Sequence, residues 1–260
     1  MKKGLIVVLL IAAVLVWGTW IMIPENALIS VMEGSAPDGM FTLKVTGLKK
    51  GLFYRIDIEK LALQHSGGEM CSFSNISWRM NPLSLLTLQL QSSVRGNITG
   101  GGIEGEIHLG RKTRRVSLAL EGVSIRDIPL FTRIGLYGTG IISGSYSIIK
   151  NRGHIEFITE NARLEPVSVA GKIIPLNFFH RIRGALNIRG DTVEIVSVSL
   201  EGEHVFARLK GTVRNSFADM VIEIMPDAVF HENPVFLYEL RKFKVSPGYY
   251  MIPVRQQLNI

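Results

Sequence analysis

The sequence predicts an all-β body: a long, curved antiparallel sheet, a meander of hairpins, behind one N-terminal transmembrane helix and closed by a short C-terminal helix. Three observations carry that expectation. An uncharged run from Gly4 to Ile23 opens the chain. Gly and Asn then recur about every 8 to 12 residues between short apolar or alternating segments, the spacing of antiparallel strands and their turns. Helical periodicity is concentrated in Val235 to Phe243, where Phe236, Leu237, Leu240 and Phe243 fall at three- and four-residue steps behind Pro234.

The opening run is long enough to cross a bilayer, because at about 1.5 Å per residue it spans roughly 30 Å of hydrocarbon. Lys2 and Lys3 precede it and Pro24-Glu25 follow. This excess of positive charge predicts residues 1–3 on the cytoplasmic side, an anchor at 4–23 and an exported body at 24–260. In a Gram-negative host that places the chain in the inner membrane, single-pass, with its bulk in the periplasm. Trp17 and Trp20 fall where indole rings favour the outer interface. A cleaved signal peptide is the alternative, but its apolar core is shorter and ends in small residues, whereas this run ends Trp17-Gly18-Thr19-Trp20-Ile21-Met22.

Within the body, Leu52 to Glu59 alternates strictly, Tyr54, Ile56 and Ile58 on one face and Arg55, Asp57 and Glu59 on the other, as a half-buried strand requires. His154 to Ile158 and Phe206 to Arg214 repeat the pattern. Turn chemistry separates the strands: Gly100-Gly101-Gly102, Asn151-Arg152-Gly153, Gly190-Asp191 and Asn215-Ser216. Ile125 to Ile134 reads as a brief turn or helix. Tyr249 to Arg255 reads as a final strand, with Pro253 favouring an edge.

Composition narrows the function classes. The 260 residues carry 29 Lys and Arg against 22 Asp and Glu, a net charge of +7, with 47% hydrophobic residues, far too apolar for a disordered chain. One cysteine, Cys71, excludes a thiolate-built metal centre and reads as a free, buried thiol, an intermolecular disulfide being the alternative. Gly100 to Gly105 matches G-x-G-x-x-G, yet Glu106-Ile107-His108-Leu109 continues as a strand where a phosphate-binding helix should start. The six histidines lack H-E-x-x-H spacing, and no G-x-S-x-G elbow is present. These residues predict no catalytic, cofactor or metal site, hence no enzyme and no cofactor. Arg111, Lys112, Arg114 and Arg115, and Arg241, Lys242 and Lys244, form basic clusters suited to lipid phosphate or an acidic partner, or to plain solubility. Export disfavours nucleic acid.

The stretch from Gly122 to Ile260 resembles the protein N family of type II secretion systems. The residues carrying the likeness are Gly138-Thr139-Gly140-Ile141-Ile142-Ser143-Gly144-Ser145-Tyr146, Gly153 to Phe157 and Glu160 to Leu164, echoed by Gly184 to Ile188, Leu200-Glu201-Gly202 and Leu209 to Val213. The same patterns are similar to AsmA-like periplasmic proteins. The first resemblance implies a non-enzymatic, membrane-anchored accessory subunit with other secretion subunits as partners. The second implies a lipid-binding or lipid-transfer module with phospholipid as partner, whose groove Tyr54, Ile56, Ile58, Ile155, Phe157, Val196 and Val198 would line.

Overall fold

The computed structural model describes residues 17–34, 41–65, 68–85, 87–98, 100–111, 114–133, 135–169, 172–174, 176–215, 217–230 and 240–257. The chain is mostly β, with few and short helices among the described residues, and forms two compact units, Met1–Arg114 and Arg115–Ile260. Every described strand pair is antiparallel.

In the first unit, residues 17–22 are helical and Pro24 opens helix α1 (Glu25–Glu33), which ends at Gly34. Strands β1 (Phe41–Lys50), β2 (Arg55–His65), β3 (Gly68–Met80), β4 (Leu90–Ile98) and β5 (Gly101–Leu109) follow in simple order, with α2 (Pro82–Leu85) between β3 and β4. Helix α1 lies along β1 through its carboxylates. Glu25 Oε1 accepts the Lys50 N–H at 2.8 Å, and Glu33 Oε1 accepts that of Val45 at 3.1 Å. Trp20, Val45, Leu48, Tyr54, Ile56, Ile58 and Ile76 make the core of this unit.

The second unit begins along β6 (Arg114–Ser124). A 3-10 turn at Ile125–Asp127 and helix α3 (Pro129–Arg133) lead to β7 (Gly138–Ile149) and β8 (Arg152–Leu164). A small hairpin, β9 (Val167–Val169) and β10 (Lys172–Ile174), stands apart before β11 (Phe179–Arg189), β12 (Thr192–Gly202), β13 (Val205–Arg214) and β14 (Phe217–Pro226). The last strands, β15 (Lys244–Ser246) and β16 (Tyr249–Gln257), exchange places, so β16 pairs with β14 and β15 lies outside. Among the described residues β15 meets only Tyr249 and Tyr250, so the remainder of β16, Pro253 included, has no described strand on that side, where a missing N–H is tolerated.

Most turns fall as their residues dictate. Gly190-Asp191 joins Arg189 to Thr192, and the G-x-G-x-x-G segment is the β4–β5 hairpin. One turn is displaced: Ile149 pairs with Arg152, so Lys150 and Asn151 form it, with Lys150 at φ 60°, and Gly153 lies inside β8. Strand β2 starts at Arg55, leaving Leu52 and Phe53 in the turn before it. Of the expected C-terminal helix, residues 235–239 lie outside the described residues, and Leu240 leads into a 3-10 turn at Arg241–Phe243. Lys2, Lys3 and most of the expected anchor also lie outside them. Among the described residues no helix is long and apolar enough to cross a membrane.

At one end of the second unit a polar latch holds a core residue. His204 Nδ1 and Asp227 Oδ2 are 2.9 Å apart, Asp227 Oδ1 accepts the Phe230 N–H at 2.9 Å, and Phe230 packs edge-on against Phe178. The hydrogen bond to Asp227 raises the His204 pKa above its ordinary value. Asp227 is lowered, first by the Phe230 N–H and then by His204. The histidine's contribution to stability is complete below its unfolded value of about 6.5 and is lost as pH rises through the raised folded value. The aspartate's contribution is lost only as pH falls through its lowered value. An NMR titration should therefore show His204 titrating above an ordinary imidazole, and Asp227→Asn should return it to the ordinary range.

Candidate functional site

Cross-strand register sorts the second unit's sheet into two faces, since side chains alternate. Leu118, Tyr146, Ile155, Leu186 and Ile195 stand opposite one another across β6, β7, β8, β11 and β12. The neighbouring row holds Val116, Ile148, Gly153, Ile188 and Val193. Leu209, Val213, Met220, Ile222, Ile252 and Val254 continue the same face across β13, β14 and β16. No charged side chain interrupts these rows.

Among the described residues of this unit, core clusters cover one end of this face. There Ile125, Ala162, Leu164 and Ile182 form one core cluster, with Phe131, Leu136 and Leu176 against it. Phe179, Val205, Ala207, Ile224, Phe230 and Leu240 belong to a second. Toward the hairpin tips, Tyr146, Ile148, Ile155, Leu186, Ile188 and Val193 are half-buried and belong to neither cluster. Their shelter comes from one another. A side chain at Gly153 would meet Ile188 Cβ at 3.1 Å and the Tyr146 ring at 3.5 Å, so both neighbours lean over that glycine. Phe157 likewise lies over Gly184, where an added Cβ would sit 2.2 Å from its ring.

The expected groove residues divide between the two units. Tyr54, Ile56 and Ile58 are buried in the core of the first, around Trp20. Ile155, Phe157 and Val198 stand on the apolar face of the second. Val196 does not, although two-residue alternation pairs it with Val198. A β-bulge between Ile195 and Val198 breaks the alternation, so Ile195 takes the inward position and Val196 is 44% exposed. Tyr146, Leu186 and Ile188 were missed by the sequence reading, and their signal was available as alternation with Ser145, Ser147 and Asn187. Of the two indoles expected at the lipid interface, Trp17 is 42% exposed and Trp20 only 3%.

The opposite face is mixed, with Ile141, Ile149 and Val196 exposed among polar side chains. A shallow depression of about 500 Å³ opens between Ser143, Ser145, Glu156, Arg183, Ser197 and Ser199. Arg208 Nε donates to Ser197 Oγ at 3.0 Å. The Glu156 carboxylate stands among these hydroxyls, and the lining holds no histidine or cysteine. Nearby, His154 bridges Asn187 at 2.8 Å and Glu156 at 3.0 Å, which raises its pKa, the Glu156 bond being the larger cause. Among the described residues no group of three or more His, Cys, Asp or Glu side chains is placed to hold a metal ion. Cys71 is a free, half-buried thiol, and burial pushes its pKa up.

Apolar rows of this kind can take up acyl chains or an apolar protein segment. No protein-family model, curated protein or solved structure matches the chain.

Proposed function

We propose that the chain is a non-enzymatic, membrane-tethered module of the periplasm whose second unit binds phospholipid acyl chains along its apolar sheet face. The observation that carries this reading is the run of Tyr146, Ile148, Ile155, Leu186, Ile188 and Val193, contiguous, uncharged and outside both core clusters of that unit. Contiguous apolar surface of this kind on a soluble body marks a binding surface, because leaving it in water forfeits about 25 cal/mol per Å². A bilayer-derived ligand suits a body tethered by residues 4–23. The likeness to AsmA-like proteins agrees with it.

The test is lipid carried by the full-length protein after purification in detergent. The wild type should retain phospholipid detectable by mass spectrometry, and Ile155→Glu or Leu186→Glu should lower the retained amount several-fold while leaving the β-sheet circular dichroism intact. Retention unchanged by both charges would assign the lipid to the anchor's annulus and overturn the reading.

A second reading, an accessory subunit of a type II secretion system, is favoured by a different observation. The stretch that resembles the protein N family, Gly122 to Ile260, nearly coincides with the second compact unit, Arg115–Ile260, so the likeness covers one folding unit. In that role the β16 edge offers backbone groups for strand addition by a partner. Photocrosslinking in intact cells from Arg55 and Arg208 separates the two readings, since only the second expects capture of secretion subunits.

A further inference from the structure

The register of the first unit gathers its exposed apolar side chains at one end. Lys50 pairs with Ile56, Arg55 with Arg79, Met80 with Ser92 and Leu90 with Leu109, so the β1–β2 turn, the β3–β4 connection and the end of β5 lie at the same end of that sheet. The helix at residues 17–22 arrives at this end too. Lys50 Nζ donates to the carbonyls of Trp20, Ile21 and Ile23 and lies 5.4 Å from the Trp20 ring centre. Trp20 Nε1 donates to the Gly51 carbonyl at 3.1 Å, and its ring stacks on Tyr54 at 4.8 Å.

At this end Leu52 is 68% exposed, Phe53 71%, Leu83 70%, Leu88 82% and Met22 85%, with Ile21, Ile23 and Leu109 also exposed. Among the described large apolar residues of this unit that stand exposed, Val31 alone lies away from the end and from the arriving helix. The exposure is built in. Phe53 and Leu88 both hold φ near 54°, a conformation that bulky residues rarely adopt and that surrounding bonds must enforce. Gly51 N donates to Arg55 O and Met80 N to Tyr54 O, which clamps the first turn. In the β3–β4 connection Ser84, 6% exposed, turns inward and bonds Asn81 O and Gln91 N, while Leu83 and Leu88 turn out. Arg79 and Arg111 are exposed at the same end, a charge suited to lipid phosphate.

We infer that this end of the first unit rests on an anionic bilayer, with Leu52, Phe53, Leu83 and Leu88 inserted at headgroup depth beside the anchor. The inference rests on the reading of residues 4–23 as that anchor, with Trp20, buried in the core of the first unit, marking where the run leaves the bilayer. The uncharged run feeds directly into the helix that Lys50 and Trp20 fasten here, so bilayer and apolar turns are held together by the same contacts. Turn residues that are apolar outside and hydrogen-bonded inside match the membrane interface and mismatch water.

The experiment uses the full-length chain in a Cys71→Ser background, reconstituted in phosphatidylcholine–phosphatidylglycerol vesicles. Single labels with an environment-sensitive fluorophore go at Leu52→Cys, Leu88→Cys, Ala13→Cys and Asn97→Cys. Doxyl-labelled lipid should quench positions 13, 52 and 88 several-fold more than Asn97, which is exposed toward the opposite end of the sheet. Quenching at position 13 without quenching at 52 and 88 would overturn the inference and leave the anchor standing. Absence of quenching at 13 would remove both. A blue-shifted label at 52 that doxyl lipid does not quench would mean a protein contact, and would also overturn it.

Discussion

Trp20→Ala should destabilise the first unit by about 3 to 5 kcal/mol, the range for truncating a buried large aromatic residue. Trp20 is 3% exposed, stacked on Tyr54, bonded to the Gly51 carbonyl and covered by the Lys50 ammonium. Its removal opens a cavity and leaves a carbonyl without its donor, two costs that the neighbours cannot relieve by collapse, because Tyr54 is fixed at φ 60°. Trp17→Ala is the internal control. At 42% exposure it should change stability by less than about 0.5 kcal/mol. Hydrogen exchange of the β1 and β2 amides in the full-length protein reads the difference. Equal effects from the two tryptophans would show that Trp20 is not the fastening point.

Gly211→Ala should be as damaging in the second unit, about 3 to 4 kcal/mol or outright failure of that unit to fold. Gly211 sits in β13 at φ +148°, a region that side-chain-bearing residues avoid, and an added Cβ would lie 2.3 Å from the Asp219 carbonyl oxygen and 2.6 Å from Met220 Cα. Both are backbone atoms of β14, so relief requires moving a strand that is paired on its other side with β16. Gly102→Ala is the matched control, since no atom lies within 4 Å of its added Cβ, and it should be close to neutral. Denaturant unfolding followed by tryptophan-independent circular dichroism compares them. A mild effect at Gly211 would mean that β13 and β14 part more easily than their register implies.

These two positions also show how far one sequence can be read. Alternation identified Ile56 and Ile58 as one inward face, and the structure buries both, because a period of two is a local property of extended backbone; Tyr54 is buried too, but from a turn at φ 60°, through its stacking on Trp20. Turn residues located the β11–β12 hairpin to the residue, since Gly190 alone there supplies positive φ at no steric cost. The same logic failed by two residues at Lys150-Asn151, where a lysine adopts positive φ and Gly153 serves as space beneath Tyr146 and Ile188. It failed again at Val196, because a bulge is set by how two strands meet and leaves no mark on the residues flanking it.

The amino-acid order by itself determined the β-rich class, the half-buried strands, the turns at Gly100, Gly190-Asp191 and Asn215 and the uncharged opening run, each of which depends on interactions a few residues apart. Tertiary structure decided the rest, because it depends on partners far away in the chain. Trp20 becomes core through Tyr54, Gly51 and Lys50, about thirty residues on. Tyr146, Ile155, Leu186 and Ile188 become one surface only when β7, β8 and β11 come into register. Whether an apolar side chain ends in core or on an open face is a question of what else packs there, and no local pattern contains that answer.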